Sequence, residues 1–491
     1  MSSLRPVAQP SAATFAQLLG SWRAGSGPAY RRLAEAIRRG VLDGRIVAGT
    51  RLPAEREAAA ALDVSRTTVA SAYTALREDG WLVSRQGSGS LVRMASTPVP
   101  QPLGLPGAVA PDDLELIDLT TASLPAPEPA FSASVSAALA DLPRWSAGPG
   151  YHPLGLPELR AAIADYYTAA DLPTTPEQVL VTNGAQHGLS LCLGELTAPL
   201  DRVLIESPTY PAALDVVRRS NRTPMPIGVL PEAADPWPVD VLDSAFRQTA
   251  SSAAYLIPDF HNPTGHVMST DVRERVLALA GRRATTVVVD ESFRELHLDP
   301  GPLPPRMASF DTDGRAITVG SLSKPVWGGL RIGWLRAPSS VIERLAMARS
   351  LADMAGPVIE QLIAVHVLAS LDAHVAIQRQ RLRDARTAVV AALREHAPDW
   401  SFAPPTGGAM LWVRLPEAVA GEAARIAPEY GVRLVPGTRF GPDGAMDNFL
   451  RIPLTRAPEL LAAGVPRAVA AVTAARAGQR SGSPAAPALV P

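Results

Sequence analysis

Two hydrophobic patterns divide the chain into a short N-terminal part and a longer C-terminal part. In the N-terminal part, Leu33, Ile37 and Val41 recur at the spacing of a single helix face. In the C-terminal part, five short apolar runs end in polar or turn residues, at 179–182, 202–206, 254–258, 286–290 and 316–320. Such runs are typical of buried parallel strands. They predict an α/β domain whose functional groups follow the carboxyl ends of its strands.

The N-terminal part predicts a helix-turn-helix followed by a hairpin. We expect three helices, which span 28–40, follow residues 52–56 and run from Ser65 to Gly80, and then two strands at 81–83 and 90–92. Ser65 is the expected N-cap of the third helix, which opens with Arg66. Two helices joined by a tight turn are typical of a domain that places its second helix in the major groove of DNA.

The composition of the intervening segments predicts the domain boundaries. We expect an irregular N-terminal extension at 1–25 with a short helix at 13–19, a DNA-binding domain at 26–93, a Pro/Gly-rich linker at 94–114, an effector domain at 115–477 and a disordered tail at 478–491. A linker of that length and composition predicts that the N-terminal domain is tethered rather than packed in a fixed position.

Charge and apolar content restrict the class of protein. The net charge of −1 over 491 residues does not indicate nucleic-acid binding by the chain as a whole. Arginines are nevertheless concentrated in the N-terminal part, at positions 31, 32, 38, 39, 45, 51, 56, 66, 77, 85 and 93. Neither a signal peptide nor a membrane span is evident, so we expect a cytoplasmic protein. The single cysteine, Cys192, is expected in the core, and no metal site is expected.

Lys324 carries the most specific chemistry of the C-terminal part. It lies in Gly320-Ser321-Leu322-Ser323-Lys324, and Arg331 follows seven residues later. The lysine amine can form a Schiff base with an aldehyde. The two hydroxyls and the guanidinium can hold a phosphate. This combination predicts a cofactor that carries both groups.

Five further features favour the same cofactor. Thr182-Asn183-Gly184-Ala185-Gln186 opens a helix after a strand, where backbone amides bind phosphate. Tyr210 can stack on a ring, and Asn262, in His261-Asn262-Pro263-Thr264-Gly265, can donate to the cofactor's hydroxyl oxygen. Asp290 ends a strand and can keep a pyridine nitrogen protonated. Arg451 is embedded in apolar residues and needs an anionic partner, which a ligand carboxylate or a structural ion pair would supply.

Residues 28–93 resemble the winged helix of GntR-family bacterial repressors. The matching motifs are Leu52-Pro53-x-Glu55-Arg56-Glu57, Val64-Ser65-Arg66-Thr67-Thr68-Val69 and Gly87-Ser88-Gly89-Ser90. The resemblance implies DNA contacts from Arg56, Ser65, Arg66, Thr67, Thr68 and Gly87. The sequence departs at Ala54, where the family usually has a capping serine, and this costs about 1 kcal/mol. The alternative is a helical packing module with a solvated basic face.

The C-terminal motifs resemble fold-type I pyridoxal-phosphate (PLP) aminotransferases across about 350 residues. Together with the winged helix, the chain is similar to MocR-type regulators, the GntR subfamily with an aminotransferase-like effector domain. The resemblance implies PLP as cofactor, with Lys324 as the catalytic, Schiff-base lysine. It implies cofactor contacts from Lys324, Asp290, Asn262, Tyr210, Gly184, Ala185, Gln186, Ser321, Ser323 and Arg331, from Tyr151 across a subunit boundary, and an effector carboxylate on Arg451. It also implies a head-to-tail, domain-swapped homodimer.

One departure from the aminotransferase pattern bears on activity. After the aspartate the family commonly supplies a tyrosine, whereas this chain has Asp290-Glu291-Ser292-Phe293. A second departure is Trp327-Gly328, where a proline commonly precedes Gly-Leu-Arg. We therefore expect a regulator that binds operator DNA and senses PLP or an amino compound, with at most residual transaminase activity. The alternatives are an active aminotransferase that carries a DNA-binding domain, and a DNA-binding scaffold with an inactive effector domain.

Overall fold

The computed structural model of the chain consists of a small N-terminal head and a large C-terminal effector domain. It describes residues 9–20, 22–23, 27–47, 49–85, 89–92, 116–233 and 235–481. The predicted linker at 94–114 lies outside the described residues, as do Gly87 and most of the predicted tail. The last helix continues to Ser481, a few residues beyond the predicted start of that tail at 478.

The head has the winged helix-turn-helix architecture that the sequence predicts. Its elements are α1 (Ala12–Leu19), α2 (Ala29–Leu42), α3 (Glu55–Leu62), α4 (Arg66–Glu78), β1 (Leu82–Arg85) and β2 (Gly89–Val92). The two strands pair in antiparallel fashion as the wing. The Ser65 hydroxyl caps α4 by accepting a hydrogen bond from the Thr68 amide at 3.1 Å, whereas Ala54 leaves the start of α3 without a side-chain cap.

The N-terminal extension contributes a helix to the head's hydrophobic core. Helix α1 packs beside α3, and its Phe15 and Leu19 are buried in the head's hydrophobic core. The short apolar helix was predicted from the sequence, but its packing partner depends on the tertiary fold. The head's core therefore begins near residue 12.

A seven-stranded sheet forms the centre of the effector domain. Its strands are β4 (Val179–Thr182), β5 (Arg202–Ser207), β6 (Thr223–Gly228), β7 (Ser251–Leu256), β8 (Thr286–Asp290), β9 (Ala316–Ser321) and β10 (Gly333–Arg336), in the spatial order β4-β10-β9-β8-β7-β5-β6. Strands β5 to β9 are parallel, and β10 runs antiparallel to β4 and β9. The carboxyl ends of β4, β5, β7, β8 and β9 therefore meet at one edge.

Helices cover both faces of this sheet. They are α5 (Ala130–Ser146), α6 (Pro157–Thr168), α7 (Ala185–Leu196), α8 (Pro211–Arg219), α9 (Val239–Gln248), α10 (Thr270–Arg283), α11 (Ser339–Ser350) and α12 (Val358–Ala369). Alternate residues of a strand enter different cores: Val287 and Val289 face one core, and Val288 faces the other. Cys192 is buried in the second of these cores, as predicted.

A smaller C-terminal layer completes the effector domain. It comprises β3 (Ile117–Asp118), α13 (Leu371–His396), β11 (Met410–Arg414), α14 (Ala420–Ile426), β12 (Val432–Arg433), β13 (Val435–Pro436), β14 (Phe449–Pro453) and α15 (Pro458–Ser481). Strands β11, β14 and β13 form an antiparallel sheet, and β12 pairs with β3. Among the described residues, one helix is long and apolar enough to cross a membrane, at Pro458–Gly478. It packs against α13 and buries Leu461 and Val465 in this layer's core.

The head packs against the effector domain, contrary to the expectation of a free tether. The Ser207 hydroxyl at the end of β5 donates to the Leu42 carbonyl of α2 at 3.0 Å. Ala445 and Met446 of the effector domain lie in the head's hydrophobic core. Linker length and composition predict the reach of the head, but not whether its surface is complementary to that of the effector domain. These contacts could therefore not be predicted from the linker.

Candidate cofactor and DNA sites

A cavity of about 350 Å³ opens at the carboxyl edge of the large sheet. It brings together eight of the residues predicted from the sequence: Ala185, Gln186, Tyr210, Asn262, Asp290, Ser323, Lys324 and Arg331. These residues come from the ends of β4, β5, β7, β8 and β9 and from the turn before β10. The strand order therefore converts motifs that lie far apart in the sequence into one site.

Lys324 follows β9, is partly buried and lines this cavity. Its Nζ donates to the Ala122 carbonyl at 2.7 Å and lies 5.4 Å from the centre of the Phe293 ring. Burial, with a contribution from the Arg451 charge, lowers the pKa of Lys324 from 10.5 to about 8. A lysine with so low a pKa has a sizeable neutral fraction near neutral pH, as a nucleophilic amine requires.

An anion cradle lies on one side of Lys324. The Ser321 and Ser323 hydroxyls are 2.8 Å apart, and Ser321 stands behind Ser323 rather than on the cavity wall. Arg331 donates to the Asn183 carbonyl at 2.8 Å. Gly184 caps α7 with a φ of +85°, and a Cβ there would collide with the Arg331 guanidinium. Glycine thus lets the guanidinium and the N-terminus of α7 face the same anion.

Asp290 lies on the opposite side, at the end of β8. Its carboxylate accepts hydrogen bonds from the Tyr255 phenol at 2.7 Å and from the Ser292 amide at 2.9 Å. Tyr255 was not identified from the sequence, because a tyrosine within an apolar strand reads as core. Burial and the adjacent Asp290 charge raise the pKa of Tyr255 well above its ordinary value, so the phenol stays a donor.

Aromatic and amide groups line the rest of the cavity. Tyr210 precedes α8, and burial together with the Asp290 charge raises its pKa. Asn262 follows β7, close to Ile257 on the cavity wall. Ser292 and Phe293 line the wall where a tyrosine was expected, and the Phe293 ring offers no hydrogen-bond donor.

Arg451 is buried near the cavity but is not part of its wall. It lies on β14, donates to the Thr120 carbonyl, and is 5.4 Å from the centre of the Phe440 ring. Burial lowers the pKa of Arg451 to about 10, against the raising effect of the Asp118 charge. Its Nε is buried and has no hydrogen-bond partner in the described part of the chain. One donor of the guanidinium thus stays available for an anion.

The structure separates Tyr151 from this cavity. Its side chain is 63% exposed and does not line the wall. Sequence reasoning also missed four residues that do line it, Ser123, Leu189, Ile257 and Gly328. Ser123 belongs to a segment without regular secondary structure. The other three occupy positions where any small or apolar residue would look structural.

Pyridoxal phosphate fits these residues. Three polar atoms of the cavity wall are buried without a partner among the described residues: Gln186 Oε1, Asn262 Oδ1 and Ser292 Oγ. Buried polar atoms are normally hydrogen-bonded, so they indicate a polar ligand. An amine, an anion cradle and a carboxylate surround the same space, and these match the aldehyde, phosphate and pyridine nitrogen of the cofactor.

Five of the six predicted DNA contacts are described, with Arg56 in α3 and the other four at the start of α4. Arg56, Ser65, Arg66 and Thr67 are exposed, and Thr68 is partly exposed at the same end of α4. Arg66 Nε lies 3.4 Å from Glu55 Oε2. An exposed pair of this kind contributes less than about 1 kcal/mol, so DNA can compete for the arginine.

Comparisons with known proteins agree with this architecture. Residues 138–465 match the family "Aminotransferase class I and II", and residues 29–92 match "Bacterial regulatory proteins, gntR family". The uncharacterized HTH-type transcriptional regulator YisV of Bacillus subtilis is 28% identical over 79% of this chain and 84% of its own length. The probable rhizopine catabolism regulatory protein MocR of Rhizobium meliloti is 29% identical over 84% of this chain and 87% of its own.

Among solved structures, LysN, an alpha-aminoadipate aminotransferase from Thermus thermophilus, matches with a TM-score of 0.67 and 27% identity. The match covers 74% of this chain and 93% of LysN, which was complexed with N-(5'-phosphopyridoxyl)-L-leucine. The chain therefore belongs to the aminotransferase class I and II family and, with its gntR-family DNA-binding head, is a PLP-binding transcriptional regulator of the MocR type.

Proposed function

We propose that the regulator senses an amino compound at Lys324 and reports it to operator DNA. PLP supplies an electrophilic aldehyde when it is bound, and Lys324 is the amine that holds it. Asp290 would face the pyridine nitrogen, Asn262 the ring oxygen and Tyr210 the ring face. Ser321, Ser323, Arg331 and the start of α7 at Gly184, Ala185 and Gln186 would hold the phosphate. PLP itself is the alternative signal, and the experiment below separates the two.

The observation that carries this proposal is the placement of Arg451 beside Lys324. Both side chains donate to carbonyls of one short segment, Arg451 to Thr120 and Lys324 to Ala122. Carbonyls two residues apart are separated by at most about 7 Å of chain. The two cations are close enough for the Arg451 charge to lower the pKa of Lys324. An α-amino acid would place its amine at Lys324 and its carboxylate on Arg451. We infer that the effector is an amino acid.

The cavity favours recognition over turnover. Phe293 lies against Lys324 and offers no phenol that could support the cofactor's oxygen. Beside Phe293, the Ser292 hydroxyl can donate a hydrogen bond, but the serine side chain is shorter than that of a tyrosine. We therefore expect slow, residual transamination. The alternative function, an active aminotransferase, would require rapid exchange between an amino acid and a keto acid.

On the DNA side, the proposed contacts are Arg56, Ser65, Arg66, Thr67, Thr68 and Gly87. Arg66 opens α4, where a guanidinium reaches base edges in the major groove. Gly87 lies outside the described residues, between β1 and β2 in the sequence. If both heads of a dimer bind the same operator, the operator contains two half-sites.

We propose that the working form is a cytoplasmic homodimer. Five exposed apolar side chains support a covered surface: Tyr151, Trp327, Leu351, Met354 and Ile359. Leu351 is 91% exposed, and it is the most exposed of the five. Trp327 adjoins the cavity wall at Gly328, so the second copy would lie close to the cofactor. Tyr151 would then reach the partner's phosphate. In a domain-swapped dimer, each head would occupy the other copy's head-binding surface.

The test is a spectral titration coupled to DNA binding. PLP-loaded protein is titrated with amines and amino acids, each amino acid being matched with its decarboxylated amine. An amino acid that changes the visible spectrum is expected to change operator affinity, and its amine is expected to do neither at the same concentration. Lys324→Ala should remove the absorbance of the PLP–lysine adduct and the spectral change that marks its displacement by an amino compound. A DNA response to PLP alone, with none to any amino compound, would identify PLP as the signal and contradict the amino-acid proposal.

A further inference from the structure

The C-terminal end of α2 in the head rests on the edge of the large sheet that carries the cofactor cavity. The Leu42 carbonyl accepts the hydrogen bond from Ser207 at 3.0 Å. Next to it, the Asp43–Gly44 turn touches Gly228 so closely that a Cβ on Gly228 would lie 2.5 Å from the Asp43 carbonyl oxygen. Ser207 ends β5 and Gly228 ends the neighbouring strand β6. The turn therefore seats on two adjacent strand ends.

The same strand end leads directly into the cavity. Ser207 is three residues before Tyr210, which lines the cavity wall. Between them, the Thr209 amide donates to the Phe440 carbonyl at 2.8 Å. The Phe440 ring lies under the Arg451 guanidinium at 5.4 Å. A displacement of Tyr210 or Arg451 thus acts on the segment that holds the head.

A second contact follows from the same segment. Five residues after Phe440, Ala445 is buried in the head's hydrophobic core, and Met446 packs against that core. The Asp447 carboxylate is close enough to Arg39 of α2 for the arginine to oppose the rise in pKa that burial causes. The head is therefore held by two segments: one leads to Tyr210 on the cavity wall, and the other follows Phe440, whose ring lies against Arg451.

We propose that this docking surface couples occupancy of the cavity to the position of the head, which rests on the proposed function above. The docking surface comprises Ser207, Gly228, Ala445 and Met446. It binds the C-terminal end of α2, at Leu42–Gly44, in a head of this same protein. A ligand changes DNA affinity only if it binds the docked and released states differently. Coupling free energies between such sites typically correspond to factors of about 5 to 150.

Glycine at 228 makes this surface testable without damage to the cavity. The three atoms nearest to a Cβ at Gly228 all belong to Asp43 and Gly44 of the head, so Gly228→Ala is expected to obstruct docking first. Gly194 is the matched control, because it lies on α7 of the same domain and a Cβ there meets nothing within 4 Å. Ser207→Ala removes the hydrogen bond instead of adding an atom and serves as the second variant.

The experiment measures operator affinity of apo-protein, PLP-loaded protein and PLP-loaded protein with the amino acid found by titration. In the wild type and in Gly194→Ala, loading is expected to change operator affinity at least about fivefold. In Gly228→Ala and Ser207→Ala, the change is expected to shrink to less than about twofold, with an unaltered PLP spectrum. Reciprocity gives a second readout: operator DNA changes PLP affinity by the same factor in the wild type and much less in Gly228→Ala.

The outcomes separate the two proposals. A wild-type protein whose operator affinity ignores both PLP and amino acids overturns the proposed function and the coupling together. A wild-type protein that responds, with both Gly228→Ala and Ser207→Ala responding equally, overturns the coupling alone and leaves the proposed function intact. Loss of the PLP spectrum in Gly228→Ala would show that this position is structural. The coupling would then be tested by Ser207→Ala alone, and a response equal to that of the wild type would overturn it.

Discussion

The pH dependence of cofactor capture tests the electrostatics of Lys324. Its pKa falls from 10.5 to about 8 because the amine is buried and because Arg451 adds positive charge nearby. The shift corresponds to roughly 3 kcal/mol in favour of the neutral amine. At a pH of about 7.5, the neutral fraction is roughly 200 times that of an exposed lysine. Since the neutral amine reacts with an aldehyde, the folded site should capture PLP rapidly near neutral pH.

The assay follows the visible absorbance of apo-protein mixed with PLP as a function of pH. The neutral amine, which is the reactive form, is lost as the pH falls below the pKa of Lys324. A plot of capture rate against pH should therefore fall about tenfold per pH unit below that pKa and level off above it, with a break at the pKa. The break is expected at about pH 8. Reaction of PLP with butylamine, measured in parallel, corrects for titration of the cofactor itself.

A variant identifies the source of the shift. Arg451→Gln removes one of the charges that lower the pKa of Lys324, so its break should move to higher pH. Arg282→Gln is the control, because Arg282 is exposed at the end of α10 on the opposite edge of the sheet. A break near the ordinary lysine pKa in the wild type, or the same break in Arg451→Gln, would refute this account of the site.

Four further outcomes are expected. Lys324→Ala should lose the PLP adduct that borohydride fixes, while circular dichroism shows an unchanged fold; an unchanged visible band would contradict its role. Tyr255→Phe removes a buried hydrogen bond to a carboxylate, so calorimetry should show a loss of roughly 1.5–3 kcal/mol in unfolding free energy, and no loss would contradict the contact with Asp290. Arg66→Ala should weaken operator binding by about 1–3 kcal/mol, and wild-type affinity should fall with salt; full affinity or salt independence would contradict the DNA interface. Arg451→Gln should retain PLP and basal DNA binding and lose the response to amino acids, so an undiminished response would make this arginine structural.

The parts of the fold that local pattern determines could be predicted from the sequence. Five strands of the large sheet were predicted because they are continuous apolar runs, namely β4, β5, β7, β8 and β9. The helix-turn-helix was predicted because Ser65 caps a periodic helix. Strand β6 was missed because Pro224 and Pro226 argue against a strand. Both are tolerated because β6 is the edge strand of the sheet, so a missing amide donor costs little.

Long-range pairing determines the parts that could not be predicted. Tyr255 acts on Asp290 only because β7 and β8 are neighbours in register, with Leu256 opposite Val289. Ser123 reaches the cavity through a segment whose path depends on Lys324 and Arg451. The docking of the head depends on the fit of the Asp43–Gly44 turn to Gly228, which no local pattern reveals. Motifs therefore predicted the chemistry of the site, and tertiary structure determined its supporting contacts.

One measurement tests the central claim, that chemistry at Lys324 controls DNA binding. Operator affinity is measured for wild-type protein and Lys324→Ala, each as apo-protein, with PLP, and with PLP plus the amino acid that gives the largest spectral change. The account predicts that operator affinity of the wild type changes at least about fivefold on going from PLP to PLP with amino acid, and that the affinity of Lys324→Ala stays constant. An equal change in both proteins, or no change in the wild type, would contradict it.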